Sequence, residues 1–483
     1  MNHRSPWHGC SGSRREFLWQ VGAGFGGVAL SSVMAEDGVF GAMDAAALPH
    51  VAARAKRCIF LFMFGGPPSM DTFDYKPELQ KRNGETVDTE TRRGKVEPNK
   101  LLASKRSFKQ YGESGLWCSD AFPHIAKHMD ELCLIKSLYT DSFIHGSAVI
   151  QANTGRILQG HPSMGSWLSY GLGTDNQNLP SFVVMLDPRG GPISGAPNWS
   201  SGYIPASHQG TVFRSKGDPI LHLSNREGLT REMEREHHDA LARLNAVHLK
   251  ERFGRDDLEA RIKSYELAYR MQISAPEVTD LAGESEKTME MYGIFDKKPD
   301  HKWSVGPAHF GRQCLTARRL IERGTRFVQI YSGGGVQQQS WDAHAGQEVN
   351  LQIHAPEIDR PIDGLLTDLK QRGLLDETLV VWGGEFGRQP GTKPNYDVTG
   401  RDHNPKGFLY WMAGGGVKPG FSYGETDELG HAAEENPRHL RDLHATILHL
   451  MGIDHEQLTY FYDGLDQKLT GLVPAEPIHE VVA

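Results

Sequence analysis

Short apolar runs recur along the chain, and several of them end in glycine. The run 378–382 is rich in β-branched residues and wholly apolar, and Gly383 and Gly384 follow it. Such a run is typical of a strand that helices cover on both faces. Glycine then permits a tight turn that residues with a Cβ resist. Similar runs predict further buried strands at 57–66, 133–138, 181–186, 326–331 and 408–412.

Between these runs, apolar residues recur at the spacing of a helix. This spacing predicts helices at 148–153, 307–323, 356–372 and 439–451. The stretch 226–293 is rich in Ala, Leu, Glu, Arg and Lys, and it predicts two or three surface helices inserted between strands. We therefore predict one elaborated α/β domain. Its central sheet is mostly parallel, with helices on both faces and a helical insertion.

Composition excludes few classes of function. The 483 residues are 38% hydrophobic and 23% charged, as in a globular protein with an ample core. The net charge of -8 is mild, and it lacks the strong basic excess by which nucleic-acid binding is recognised. No nucleic-acid partner is expected.

The amino terminus predicts an export signal. A twin-arginine pattern, SRREFL at 13–18, precedes a Gly/Ala-rich run at 19–35. This run is short and glycine-rich for a spanning helix, which needs about 20 strongly apolar residues, so no stable transmembrane anchor is expected. We predict a signal peptide at 1–35, a linker at 36–56 and export by the twin-arginine machinery. The protein is then expected in the periplasm or at the cell surface.

Acidic residues and histidines follow several of the predicted strands. Ligands of open α/β sheets bind beyond the carboxyl ends of the strands, so these side chains are candidates for one site. Carboxylates and imidazoles are ligands of Zn, Mn, Fe, Mg and Ca. Each residue alone is a weak signal, because turns, ion pairs and core histidines also place such residues there. The candidates with this shared placement are Asp71, His145, Asp342, His344, Glu385, Asp402 and His403.

A serine, Ser142, stands just before the predicted helix at 148–153. A helix N-terminus suits an anion, so Ser142 is a candidate substrate-binding residue. A serine at this position more often caps the helix, and that interpretation is favoured.

The order of these features resembles the alkaline phosphatase and sulfatase superfamily. It is most similar to an exported bacterial branch of unknown function, of planctomycete type, that often carries twin-arginine signals. The segment GLLDETLVVWGGEFGR at 373–388 resembles the sulfatase turn and strand that lead to Asp-His-Gly, and RDLHATILHLMGI at 441–453 resembles a late sulfatase helix. The resemblance implies an alkaline-phosphatase-like sandwich over 57–455, followed by a C-terminal tail at 456–483.

Matched residue by residue, the resemblance implies a set of metal ligands and two departures. Phe386 replaces a usual histidine, and the spacing from Asp342 to His344 is shorter than in the family. The implied cofactor is a divalent metal, Zn, Mn, Mg or Ca. The implied ligands are Asp71, Asp342, His344, Glu385, Asp402 and His403.

The position of the family's nucleophile falls on His145, counted back from Thr154-Gly155. Formylglycine sulfatases need Cys or Ser followed by x-Pro-x-Arg, whereas Cys314 is followed by Thr316 in place of proline. The resemblance therefore argues against a formylglycine sulfatase. His145 either attacks the ester, or binds the metal while water attacks, or marks a loss of catalysis.

The implied function is an exported metal-dependent hydrolase of phosphate or sulfate esters, on a polysaccharide or a lipid. Its partner is an anionic ester substrate or glycan, whose oxygens Arg388 or Arg156 would contact. The alternative is a non-catalytic protein that binds a glycan or anion, or that serves as an envelope assembly partner.

Overall fold

A computed structural model of the protein describes residues 49–90, 94–215, 219–220, 230–251, 256–335, 339–392 and 399–483. Residues 49–483 form one unit. The predicted signal peptide at 1–35 lies outside the described residues, as does most of the predicted linker. Within the described ranges, no helix is both long and apolar enough to cross a membrane.

One nine-stranded sheet organises this unit. Its strands are parallel to their neighbours except for β14, which runs against both β10 and β6. Across the sheet the order is β15 (Phe421–Tyr423), β6 (Leu132–Tyr139), β14 (Phe408–Ala413), β10 (Thr378–Gly383), β1 (Arg57–Met63), β9 (Phe327–Ser332), β7 (Phe182–Met185) and β8 (Thr211–Phe213), and β18 (Arg438–His439) also pairs with β6.

Smaller antiparallel ladders surround the main sheet. They are the three-stranded sheet β2 (Thr86–Glu90), β3 (Val96–Leu101) and β12 (Gly391–Thr392), and the pairs β4 (Phe108–Tyr111) with β5 (Leu116–Ser119), β11 (Gly387–Arg388) with β13 (His403–Asn404), β16 (Glu425–Thr426) with β17 (Ala433–Glu435), and β19 (Tyr460–Tyr462) with β20 (Leu465–Gln467).

Helices occupy the connections between strands. They are α1 (Ser69–Thr72), α2 (Pro77–Lys81), α3 (His145–Thr154), α4 (Met164–Leu172), α5 (Arg231–Glu251), α6 (Asp256–Thr279), α7 (Glu286–Met291), α8 (Pro307–Glu322), α9 (Gln347–Gln371) and α10 (Leu440–Leu450). Short 3₁₀ turns lie at Ile125–His128, Ala196–Trp199, Ala206–His208, Leu281–Gly283, Leu375–Glu377 and His479–Val481.

Two hydrophobic cores lie on the two faces of the main sheet. Alternate residues of β1 point to opposite faces, as the pleat of a strand requires. Ile59 and Leu61 pack in the core that contains α8 and α9, whereas Phe60 and Phe62 pack in the core that contains α3, α4 and α10. The predicted α/β class is confirmed, with its mostly parallel sheet, helices on both faces and helices α5 to α7 in the stretch 226–293.

Two helix boundaries differ from the prediction in a way that affects the site. The helix predicted at 356–372 begins at Gln347, and Pro356 and Pro361 lie inside it. Proline is common in a first turn, which is why the pattern suggested a start there. The helix predicted at 148–153 begins at His145, so this histidine is the first helical residue. The stretch 456–483, predicted as a tail, contributes Leu469, Ile478 and Val481 to a core.

Candidate metal centre

The topology of the main sheet brings distant polar segments to one edge. Strands β1, β6, β9 and β10 run in the same direction, so their carboxyl ends share this edge. Because β14 is reversed, the segment that precedes it lies at the same edge. The residues delivered there are His145 after β6, Asp342 and His344 after β9, Glu385 and Arg388 after β10, and Asp402 and His403 before β14.

One carboxylate oxygen lies at the centre of the cluster. Asp342 Oδ1 is 3.1 Å from His344 Nε2, 3.2 Å from His145 Nε2 and 3.3 Å from His403 Nε2. The Nε2 atoms of His344 and His403 are 2.9 Å apart. Ligand atoms of these four residues all lie within 4.8 Å of one another. We call these four residues the Asp342 cluster.

The outer nitrogen of each imidazole faces an oxygen of the protein. His403 Nδ1 is 2.8 Å from the carbonyl oxygen of Phe143, and His344 Nδ1 is 3.6 Å from Asp402 Oδ1. Metal-binding histidines usually donate the outer N–H in this way, which fixes the tautomer and leaves the inner nitrogen as a lone pair. Asp402 therefore stands behind His344 and lies outside the cluster of ligand atoms to which the sequence assigned it.

Glu385 lies behind His145, as Asp402 lies behind His344. Its Oε1 is 2.5 Å from His145 Nδ1, and both of its carboxylate oxygens accept the backbone N–H of Gly65, at 3.0 and 3.1 Å. The side chain is fully buried. The structure thus places Glu385 behind an imidazole, whereas the sequence predicted it as a metal ligand.

The donor set fits a small divalent ion. Four ligand atoms at 2.0–2.1 Å from a tetrahedral ion are about 3.3 Å apart. Four of the six separations within the cluster, at 2.9–3.3 Å, are close to this value, and all six are within 4.8 Å. His145 Nε2 is buried, and no protein donor or acceptor in the described residues is well aligned for a hydrogen bond to it. When the outer nitrogens carry the ring protons, the inner atoms all present lone pairs, and a cation between them would relieve their mutual repulsion.

Electrostatics reinforce this arrangement. Burial opposes ionisation of Asp342, but Arg388 and the three imidazoles together hold its pKa well below the usual range. Burial, together with the positive charge of Arg388, lowers the pKa of His403 to about 3. Burial also opposes protonation of His145, yet the neighbouring carboxylates of Asp342 and Glu385 raise its pKa above the ordinary value.

Arg388 is a buried partner of Asp342, and it is not placed to contact a substrate. Its side chain is fully buried, and its Nη2 donates to Asp342 Oδ1 at 2.7 Å and to the carbonyl of Gly65. Its Nε donates to Gly66 O at 3.0 Å, and Nη1 donates to Arg401 O at 3.2 Å. The predicted role in contacting ester oxygens does not agree with this geometry, because the guanidinium is committed to the protein.

Asp71 lies beyond β1 as predicted, but the structure does not bring it into the cluster. Its two carboxylate oxygens accept from Arg401 Nε at 2.8 Å and Arg401 Nη2 at 3.2 Å. The sequence showed the carboxylate but not its partner, which lies 330 positions further along the chain. Arg401 was therefore missed, although it directly precedes the Asp402-His403 pair that the sequence did single out.

The structure also separates Arg156 from the cluster. Arg156 follows the C-terminal end of α3, whereas His145 begins that helix. A helix of ten residues is about 15 Å long, so Arg156 is too distant to share a small ester group with His145. Ser142 stays close to the start of α3, where its Oγ accepts from Ile144 N at 3.2 Å and lies 2.6 Å from Ser147 Oγ.

Phe386 forms one wall of the cluster. Its ring centroid is 4.8 Å from that of His145 and 4.6 Å from that of His403. The position at which the resemblance implied a histidine is therefore apolar here, and it supplies packing in place of a ligand atom.

Comparison with protein families places the chain. The family described as "Protein of unknown function (DUF1501)" matches residues 55–482. The chain belongs to this family. The DUF1501 match includes every residue of the Asp342 cluster and the elements that carry them. No curated protein matches the chain.

Several solved structures resemble the DUF1501 chain at low identity. The sulfatase PsFucS1 from Pseudoalteromonas sp. has a TM-score of 0.35 and 13% identity, and the match covers 87% of this chain and 72% of that one. The lipoteichoic acid synthase LtaP from Listeria monocytogenes has a TM-score of 0.33 and 10% identity, and the match covers 89% of this chain and 78% of that one. The alkaline phosphatase of the Antarctic bacterium TAB5 has a TM-score of 0.31 and 13% identity, and the match covers 78% of this chain and 96% of that one. At these TM-scores the likenesses carry no argument about the site or its activity.

Proposed function

We propose that this protein is an exported hydrolase of phosphate or sulfate esters that depends on a divalent metal ion bound by the Asp342 cluster. One observation carries the proposal. Three imidazole Nε2 atoms converge on one carboxylate oxygen, while an oxygen of the protein faces the outer nitrogen of each ring. Such a constellation of buried acid and imidazole is typical of a metal site with an organised outer shell.

The donor set narrows the choice of metal. Three imidazoles and one carboxylate suit Zn or Mn, because imidazole is a good ligand for transition metals. Mg and Ca prefer oxygen ligands in larger number. Of the ions that the sequence left open, Zn and Mn are therefore favoured.

The ion would supply Lewis acidity toward an oxygen of the phosphoryl or sulfuryl group. The chain supplies a second attraction for that anion at the N-terminus of α3. The first hydrogen bond of this helix runs from Ala148 N to Ile144 O, so the N–H groups of His145, Gly146 and Ser147 have no partner within the helix. These N–H groups and the positive end of the helix dipole favour an anionic ester beside the cluster.

His145 acts in this proposal as a ligand, and it is not a nucleophile. Its Nε2 faces Asp342 and its Nδ1 is held by Glu385, so neither ring nitrogen is available to attack the ester. Water then attacks the phosphorus or sulfur, the bond from that atom to the ester oxygen breaks, and a proton from the water passes to the departing alkoxide, so no covalent histidine intermediate forms. A formylglycine sulfatase mechanism is not proposed, because the required sequence pattern is absent.

Export and substrate class rest on the sequence. The twin-arginine pattern at 13–18 supports passage through the twin-arginine machinery to the periplasm or cell surface. An anionic ester on a polysaccharide or lipid is the substrate class that suits this location.

The test combines metal content with activity. The full chain is purified without chelator, its metal is measured by elemental analysis, and hydrolysis of aryl phosphates and aryl sulfates is assayed with added Zn²⁺ or Mn²⁺. We expect bound metal, hydrolysis that a chelator abolishes, and loss of both in Asp342→Asn. Circular dichroism of the variant checks that it is folded. A protein that binds no metal and hydrolyses none of these esters would contradict the proposal.

One observation favours the non-catalytic alternative. Four protein ligands fill a tetrahedral site, as in structural zinc sites, whereas catalytic zinc sites keep one position open. The alternative function is binding of a glycan or anion, or assembly of envelope components. A chain that binds metal tightly, binds a sulfated glycan and remains inert toward the aryl esters would support it.

A further inference from the structure

Three neighbouring segments at the end of α3 opposite to the Asp342 cluster expose several large apolar side chains. They are the loop 156–162 that follows α3, the β19–β20 hairpin at 460–467 and the segment 469–473. Single exposed apolar residues are ordinary on a protein surface, whereas a contiguous group marks an interaction site. Six of these side chains are between 44% and 70% exposed, and we call them the hairpin patch: Ile157, Leu158, Phe461, Leu465, Leu472 and Val473.

Close backbone contacts join the loop to the third segment. A Cβ on Gly155 would overlap the carbonyl oxygen of Leu469, and a Cβ on Gly471 would overlap Nη1 of Arg156. Only glycine allows so close an approach at these two positions. The exposed residues of the two segments therefore extend from adjoining backbone.

Aromatic rings join the hairpin to the loop. The ring of Tyr203 stacks on that of Tyr462, with centroids 4.8 Å apart and planes 14° apart. The centroid of the same Tyr203 ring lies 5.7 Å from that of His161, which belongs to the loop. The three segments therefore share one surface, and the half-exposed ring of Tyr462 is part of it.

The charged groups of this surface are open to a partner. Arg156 is half-buried, and among the described residues its guanidinium forms no ion pair and its buried Nε has no hydrogen-bond acceptor. Asp463 lies in the hairpin turn and Asp466 in β20. Both aspartates are exposed, and neither is in an ion pair within the described part of the chain. The surface thus presents one positive and two negative groups.

The chemistry of the patch favours a lipid over a glycan or a protein. Five of its six side chains are aliphatic, and these cannot hydrogen-bond the hydroxyl groups of a glycan. Phe461 and Tyr462 are consecutive in β19 and point to opposite faces of the hairpin, and both are exposed. A flat protein partner covers one face of a hairpin, whereas the headgroup layer of a bilayer surrounds both.

From this surface we infer that the hairpin patch attaches the protein to a membrane of zwitterionic phospholipid, such as phosphatidylethanolamine. The apolar side chains enter the boundary between headgroups and acyl chains, and the ring of Tyr462 lies at the level of the headgroups. Arg156 donates to the phosphate of a headgroup, and Asp463 and Asp466 pair with its ammonium group. A headgroup that carries both charges complements the surface better than an anionic one, which the aspartates repel.

This attachment is separate from the metal site. His145 begins the ten-residue helix α3 and Arg156 follows it, so about 15 Å of helix lies between them. Lipid held at the patch is therefore not presented to the metal ligands. The membrane is a surface to which the protein attaches, and the inference does not depend on the ester that the Asp342 cluster is proposed to hydrolyse.

Co-sedimentation of the full chain with sucrose-loaded vesicles measures the attachment. The vesicles contain phosphatidylethanolamine and phosphatidylcholine, and the variants are Leu158→Ser and Phe461→Ser. Each should lower the partition coefficient about tenfold, because a large apolar side chain no longer enters the bilayer. The predicted export signal is present in every variant, so the ratio between variants reports the patch. Unchanged partition in both variants would overturn the inference.

Leu244→Ser is the matched control. Leu244 is 67% exposed on α5, against 68% for Leu158, and it lies outside the patch. Substitutions at such exposed positions change the free energy of unfolding little. The control should keep the partition coefficient within about twofold of the wild type, since its side chain does not enter the bilayer. Equal losses in Leu158→Ser and Leu244→Ser would indicate unspecific adhesion and overturn the inference.

Vesicle composition tests the headgroup. Addition of phosphatidylglycerol should weaken binding, because Asp463 and Asp466 repel an anionic surface. Arg156→Gln should weaken binding to the zwitterionic vesicles about two- to fivefold, as the loss of one exposed charge contact does. Tighter binding to phosphatidylglycerol that salt abolishes would overturn the assignment of a zwitterionic headgroup.

Other occupants of the patch would give different results. If a second copy of the chain covers it, sedimentation velocity without lipid shows a dimer for the wild type and a monomer for Phe461→Ser, which would overturn the inference. Asp342→Asn should bind vesicles as the wild type does. Loss of metal and hydrolysis with vesicle binding intact, or the reverse, therefore shows which of the two proposals has failed.

Discussion

Two buried charge clusters flank strand β9, and they differ in how their polar atoms are directed. One is the Asp342 cluster. The other, which we call the Glu357 cluster, consists of Asp187, Arg189, His354 and Glu357. Both combine carboxylates with imidazole, and an arginine contacts a carboxylate in each. From composition alone they would rank as equal candidates for a metal site.

In the Glu357 cluster every carboxylate oxygen meets donors from the protein. Glu357 Oε1 accepts from Val305 N at 2.7 Å and Ser304 Oγ at 3.1 Å, and Oε2 accepts from Arg189 at 2.8 Å. Burial by itself would raise the pKa of Glu357, but His354 and then Arg189 lower it to about 2. We call this cluster closed, because protein donors satisfy all of its carboxylate oxygens and no ion is required.

In the Asp342 cluster the inner ring nitrogens and one carboxylate oxygen point at one another. The outer ring nitrogens face oxygens of the protein, whereas the inner Nε2 atoms lie 3.1–3.3 Å from Asp342 Oδ1, and those of His344 and His403 are 2.9 Å apart. The difference teaches that the direction of donors and acceptors identifies a metal site better than the residue types do. The two clusters also have distinct roles. The Glu357 cluster fixes the backbone just after β9, because Asp187 Oδ2 accepts a hydrogen bond from Gly333 N at 2.8 Å.

The largest expected effect, on the free energy of unfolding, comes from removing a carboxylate from the Glu357 cluster. Glu357→Ala leaves Arg189 buried with less of its compensating charge, and breaking a buried pair in this way costs about 3–5 kcal/mol. The free energy of unfolding should fall by that amount in urea, and equally with and without chelator. A loss that appears only when metal is present would contradict the assignment of this cluster as metal-independent.

A smaller effect is expected from weakening the outer shell of the Asp342 cluster. Glu385→Gln weakens the hold on His145 Nδ1 and should lower Zn²⁺ affinity by about 10–100-fold, as removal of an outer-shell partner typically does. Calorimetry with Zn²⁺ measures it. The matched control is His354→Gln in the Glu357 cluster, which should reduce stability and leave Zn²⁺ affinity within about threefold. Equal losses in both variants would erase the distinction between the clusters.

The smallest effect concerns pH. The pKa of Glu357 is about 2 in the folded chain against an ordinary value of 4.5. Its contribution to stability is therefore complete above pH 4.5 and is lost as the pH falls toward 2. Within this window Glu357→Gln should show a shallower fall of unfolding free energy than the wild type, by at most about 1.4 kcal/mol per pH unit. Identical slopes from denaturation at several pH values would show that Glu357 does not titrate in this way.

The sequence allowed much of the fold to be predicted. Apolar runs ending in glycine located the central strands, since a buried parallel strand requires such a run. The shared position of His145, Asp342, His344 and His403 beyond those strands also followed from the pattern. What the pattern lacked was the orientation of side chains around the edge.

The candidate residues that the structure places outside the Asp342 cluster show why. Asp71 follows a strand as a ligand would, yet its role depends on Arg401, which no local pattern connects to it. Glu385 follows the same rule but lies behind His145. Arg156 is separated from the cluster by the length of a helix, which becomes clear only once α3 is seen to begin at His145.

The reversed strand β14 has a further consequence. Since it returns antiparallel to β10, the connection between Arg388 and His403 leaves and re-enters the sheet on the same side, with no crossover to span. Arg388 and His403 are direct partners in the β11–β13 pair, and both side chains approach Asp342 Oδ1. One short ladder thus sets the approach of a guanidinium and an imidazole to the same carboxylate, so any change in its register would displace both together.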